Sequence, residues 1–141
     1  MPKRLYYLAS LFFVFVLPSA FLWYFIRNQI DPANVALFAV SITLLASVWD
    51  IWATRHGKRD SVWMWSFNSR QTLGIKLLDV PVEEYLFYTA SSVYIVFLWQ
   101  GIQYGRASGS IVTLIVLSFA GVWSLLAIAI PYIVRSPKDR L

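Results

Sequence analysis

The chain has no cysteine and a single histidine among its 141 residues. The first absence excludes thiol nucleophiles, cysteine-ligated zinc, iron–sulfur clusters and a disulfide scaffold. The second leaves little from which to build a histidine-based metal site. Charge is scarce too: 13% of residues are Asp, Glu, Lys or Arg, against roughly 25% in ordinary soluble domains. Glycine and proline number six each, which excludes a collagen or a low-complexity linker. What remains is apolar: 59% hydrophobic, 18% aromatic, mean hydropathy +0.62. A chain of this kind buries too much apolar surface to be disordered. It reads as an integral membrane protein of the all-α class, a four-helix bundle in one compact domain covering residues 1–135.

A membrane-crossing helix needs about 20 predominantly apolar residues. Four segments meet that, at residues 5–26, 34–54, 80–99 and 110–134. The first is uncharged over 22 residues, a reach of about 33 Å. That exceeds the apolar stretch of a signal peptide, so it is expected to be retained. Ten of the twelve lysines and arginines fall at the N-terminus, between spans two and three, or at the C-terminus; the other two loops hold only Arg27 and Arg106. The positive-inside rule then places both termini and the long middle loop in the cytoplasm, in the inner membrane. The net charge of +5 is a topology signal: the charges flank spans and form no basic stripe, so no nucleic-acid partner is expected. Residues 136–141 are expected to be a mobile tail.

Membrane proteins concentrate function in the few polar groups they bury. Asp50 stands at the cytoplasmic end of span two, in Trp49-Asp50-Ile51-Trp52. Glu83 and Glu84 open span three, in Asp79-Val80-Pro81-Val82-Glu83-Glu84-Tyr85. By the topology above, all three carboxyls reach the same membrane face. The stretch after Glu84 is too short to cross a bilayer alone, which puts the glutamates near the headgroup boundary. A dry boundary favours the neutral form of a carboxyl, and a neutral carboxyl is what a general acid requires. A plain structural account also fits, since proline followed by acidic residues is ordinary first-turn helix chemistry. Successive helical residues point about 100° apart, so one glutamate at most faces a given pocket. Glu84 shares its stripe with Tyr88, Ser91 and Ser92; Glu83 shares its own with Phe87, Ala90 and Tyr94. Spacing alone does not choose between them.

An aromatic belt accounts for most of the tryptophans, Trp23, Trp49, Trp52, Trp63, Trp65 and Trp99. The alternative for those on the carboxyl side is stabilisation of a cationic intermediate by π faces. Trp123, midway along span four, reads as packing, and His56 as part of a solvated basic cluster.

These residues also carry a family likeness. Trp-Asp-x-Trp at 49–52, a loop with Gly57, Trp63 and Trp65, then Leu73-Gly74-Ile75, then Pro81-Val82-Glu83-Glu84-Tyr85-Leu86-Phe87-Tyr88, together resemble the lycopene cyclase domain of the small membrane type. The likeness covers residues 47–99. No dinucleotide fingerprint is present, and the resemblance implies no cofactor and no metal. It implies an acyclic carotenoid such as lycopene as substrate, drawn from the lipid bilayer. It implies that the catalytic groups are Glu83 and Glu84 as acid and base, with Asp50 as their partner or orienter. Trp49, Trp52, Pro81, Phe87 and Tyr88 would then line the substrate pocket. Active members pair two such domains, and this chain has one copy of the motif, so a homodimer or a second cyclase-domain subunit is implied. Two other readings stay open. One is a non-catalytic carotenoid-binding or scaffold subunit. The other is a small transporter, against which the rim position of the carboxyls argues.

Overall fold

The computed structural model describes residues 5–59, 67, 72–109 and 111–134. It is built of helices, as the hydropathy pattern requires. The first helix, α1, runs over Tyr6–Gln29, and α2 over Pro32–Arg59. A two-strand hairpin follows, β1 at Lys76–Leu77 and β2 at Val80–Pro81. Then come α3 at Val82–Ser108 and α4 at Ile111–Val134. Tyr6–Gln29 and Pro32–His56 are long and apolar enough to cross a membrane, with mean hydropathies of 2.0 and 1.9. Within α4 the stretch Thr113–Leu126 is apolar. Much of α2 is turned outward, with Leu37, Leu44, Leu45 and Val48 all exposed. A contiguous apolar face of this kind is tolerated in contact with lipid or protein rather than water.

Local chemistry sets the helix ends. Asp31 caps α2: its Oδ1 accepts the Ala33 N–H at 2.9 Å and its Oδ2 accepts the Asn34 side-chain amide at 2.8 Å. Pro32 takes the first helical position, where its missing N–H has no cost. In α3, Gly109 closes the helix with φ of +61° and an N–H donated to the Gly105 carbonyl at 3.0 Å, an arrangement that glycine adopts without a Cβ penalty.

The chain forms two compact units. One comprises Met1–Leu11 and Asp31–Val93; the other comprises Phe12–Ile30 and Tyr94–Leu141. In the second unit, α1 widens to a π turn over Phe12–Val16. Pro18 explains it: without an N–H, it cannot serve the carbonyl one turn back, and its ring crowds that carbonyl. The carbonyls of Phe13 and Val14 turn to α4 instead. Trp123 donates its indole N–H to Phe13 O at 2.9 Å. The Ser124 hydroxyl lies 3.2 Å from Val14 O and 2.8 Å from the Tyr94 hydroxyl, which donates onward to Ala120 O at 3.1 Å. Trp123 is therefore a hydrogen-bonding residue as well as a packing one. Gly101 and Gly105 let α3 and α4 approach closely in the same unit. A Cβ at Gly101 would meet Leu117 Cδ2 at 2.8 Å, and one at Gly105 would meet Thr113 Cγ2 at 3.2 Å.

Several sequence expectations shift at their edges: the first helix runs on to Gln29 rather than 26, and the third to Ser108 rather than 99. The third helix starts at Val82 rather than 80, because Val80 and Pro81 pair with Leu77 and Lys76 in the hairpin. The second helix continues past residue 54 to Arg59, so the middle loop begins later. Trp63, Trp65 and the tail at 136–141 lie outside the described residues.

Candidate active site

The hairpin is what places the glutamates. Its two-residue turn, Leu78 and Asp79, has φ of +51° and +74°, the left-handed geometry of a tight hairpin. The Val82 N–H donates to the Ile75 carbonyl at 3.1 Å, and the Tyr85 hydroxyl donates to Leu77 O at 2.8 Å. The chain thus turns from strand into α3 with Glu83 and Glu84 in the first turn, where the helix dipole favours acidic groups. Arg55 approaches Asp79 at 4.0 Å, but both side chains are well exposed and the pair contributes little.

The three carboxyls each have a different partner. Glu83 is fully buried, at 0% exposure; its Oε1 accepts the backbone N–H of Leu73. Its Oε2 has no hydrogen-bond partner among the described residues. Glu84 is half-buried and its Oε1 accepts the hydroxyl of Tyr7, from α1, at 2.8 Å. Asp50, on α2, is 1% exposed, and its Oδ2 accepts the hydroxyl of Tyr88 at 2.7 Å. The roughly 100° between successive helical side chains is what sends the two glutamates to different neighbours. All of these residues belong to the first unit, and Asp50 and Glu83 both lie within electrostatic range of Glu84. Among the described residues no Lys, Arg or His forms an ion pair with any of the three. Burying carboxyls without a counter-cation is expensive for a fold, and Glu83 and Asp50 are buried with none among the described residues. A capping role alone calls for no such arrangement.

A polar seam supports the site. Tyr88 carries Ser92 on its carbonyl at 2.6 Å, and Thr43 meets Thr89 at 2.9 Å across α2 and α3. Small polar residues of this kind hold helices together in a membrane. The remaining sequence-predicted residues distribute themselves more widely. Pro81 is fully buried in β2. Phe87 is half-buried, with its ring edge-on to Tyr88 at 5.4 Å. Trp49 and Trp52 are 63% and 42% exposed. Their rings lie 5.2 Å apart, and Trp52 and His56 follow at 4.8 Å. They form an outward aromatic stripe on α2 while Asp50 points inward. Sequence reasoning missed Tyr7. The available signal was a tyrosine at the head of an apolar span, whose hydroxyl needs a partner when buried. Separately, the second unit holds an apolar groove of about 430 Å³ lined by Leu17, Phe21, Phe119 and Trp123, among others.

A family model described as lycopene cyclase matches residues 4–102. The chain belongs to the lycopene cyclase family. The match takes in Tyr7, Asp50, Glu83, Glu84 and Tyr88, so both tyrosine–carboxyl pairs fall inside the lycopene cyclase region, and α4 lies beyond it. No curated protein and no solved structure matches the chain. Membership relates the chain to carotenoid cyclisation and to a carotenoid such as lycopene as the family's substrate.

Proposed function

We propose that this chain is a lycopene cyclase, or one subunit of one, and that Glu83, Glu84 and Asp50 carry the acid–base chemistry. The observation that carries the reading is the burial of Glu83 and Asp50, with half-buried Glu84 beside them, where no cation balances them among the described residues. The reaction is an isomerisation and needs no oxidant. A protonated carboxyl gives its proton to the terminal double bond of an acyclic end group; the π pair becomes the new C–H bond and leaves a tertiary cation. The neighbouring double bond attacks that cation, closing the ring and moving the charge onto the ring. A carboxylate then takes a ring proton, and the electrons of that C–H bond form the ring double bond. One proton enters and one leaves. Carboxyls in unlike environments supply the acid and the base, and a dry pocket prevents water from capturing the cation. Phe87 and Tyr88 would offer π faces to it, whereas Trp49 and Trp52 are turned outward from Asp50. The protein would cross the cytoplasmic membrane four times with both termini inside, as a homodimer or beside a second cyclase-domain subunit.

The test is expression in a lycopene-producing bacterial host, with pigments separated by chromatography and read by absorbance. New cyclic carotenoids are expected from the wild-type chain. Glu83→Gln and Glu84→Gln should each abolish them while the protein still reaches the membrane. Cyclisation surviving in both variants sinks the assignment. The single motif copy favours a second reading, a non-catalytic subunit that holds the carotenoid. In that case lycopene co-purifies unchanged, and the glutamine variants still bind it.

A further inference from the structure

Glu84 is a flexible side chain with two acidic neighbours, Asp50 and Glu83, within electrostatic range. Left free, its three side-chain torsions would let the carboxyl take several orientations. One side chain among the described residues holds it, the Tyr7 hydroxyl at 2.8 Å, from a residue 77 positions earlier in the chain. Tyr6, beside it, is turned outward and exposed, whereas Tyr7 is half-buried. The helix therefore directs one of two consecutive tyrosines at the site. A tyrosine suits the task because its ring has few rotamers and its hydroxyl reaches far from the backbone. The pairing repeats at Asp50, which Tyr88 holds at 2.7 Å, whereas Glu83 is held by a backbone N–H. The groups that act on Glu84 are thus Tyr7 from α1, by a hydrogen bond, and Asp50 from α2 with Glu83 and Tyr88 from α3, through charge at longer range.

We propose that Tyr7 is a positioning residue for cyclisation, holding the Glu84 carboxyl in one orientation beside Asp50 and Glu83. The inference rests on the reading of Glu84 as an acid–base group. Catalytic groups must sit within about 0.5 Å of their working position, and α1 supplies that constraint from outside the glutamate motif itself.

The test uses the full chain in lipid vesicles. Infrared difference spectra between two pH values identify the Glu84 carboxyl band by its loss in Glu84→Gln. In Tyr7→Phe, which removes one oxygen and keeps the ring, that band should be displaced, and lycopene turnover should fall by about ten- to a hundredfold with KM little changed. Tyr7→His, which keeps a ring donor, should recover part of the loss, and it serves as the second variant if Tyr7→Phe fails to accumulate. A residue that merely packed would lower yield or melting temperature without moving the band. An unmoved band, or wild-type turnover in Tyr7→Phe, overturns the proposal. A wild-type chain that cyclises no lycopene overturns the reading of this chain as a self-sufficient cyclase instead, and the band then decides whether Tyr7 positions Glu84.

Discussion

Asp50 shows how much one hydroxyl can matter. Its carboxyl is 1% exposed and Tyr88 donates to its Oδ2 at 2.7 Å. A buried polar group that loses its partner costs about 1–3 kcal/mol, more if charged. Tyr88→Phe should therefore lower stability by at least that range, read as the unfolding midpoint in mild detergent. Asp50→Asn, which remains an acceptor for Tyr88, should cost less. Equal losses in the two variants would show that the hydrogen bond is not what matters there. The carboxyls themselves were legible in the sequence, because an acidic residue stands out within an apolar span. Their partners were not. Tyr7 is one of eight tyrosines in a chain rich in aromatics, and a tyrosine at a span end reads first as an interface anchor. Helical spacing showed that Glu83 and Glu84 diverge. What each would meet, the N–H of Leu73 for Glu83 and a hydroxyl from α1 for Glu84, depends on tertiary contacts that spacing does not encode.

Between residue and molecule, the informative elements are the hairpin and the π turn. Leu78 occupies the left-handed region with φ of +51° and has an exposed side chain. That conformation costs a non-glycine residue roughly 1–2 kcal/mol, and asparagine tolerates it far better. Leu78→Asn should raise the thermal midpoint of the helical circular-dichroism signal, by a stabilisation of about 1 kcal/mol. A fall in that midpoint would mean that the leucine side chain does more than the strain costs. The hairpin could not be read beforehand: each strand has two residues, too short for periodicity to register, and its turn lacks the usual Asn-Gly or Gly. The helix starts were readable, since Asp31-Pro32 and Pro81 with Glu83 and Glu84 are strong N-terminal signals. Two further features had a sequence signal that was there to be used. Pro18 inside an apolar run announces a break in the hydrogen-bond ladder, here the π turn that Trp123 and Ser124 complete. Gly101-x-x-x-Gly105 announces close helix approach, which α4 fulfils through Leu117 and Thr113.

At the scale of the whole chain, composition and charge placement carry the argument. Low charge and long apolar stretches set the class, and Tyr6–Gln29 and Pro32–His56 have the length and hydropathy to cross a membrane. The motif at residues 47–99 pointed to a family whose match extends over 4–102. The proposed orientation rests on a different quantity, the ten lysines and arginines in the termini and the middle loop against two in the other loops. Such a bias sets which loops stay in the cytoplasm. The absence of cysteine makes this directly measurable, since any introduced thiol is the sole one in the chain. With four spans and both termini inside, Asn28→Cys and Ala107→Cys should react with a membrane-impermeant maleimide added to intact cells. Lys3→Cys and Lys138→Cys should react only after permeabilisation. If positions 3 and 138 instead label from opposite sides, the number of spans is odd. A fully inverted pattern would put the carboxyl end of α2 and the start of α3 on the outer face, and the acid–base site with them.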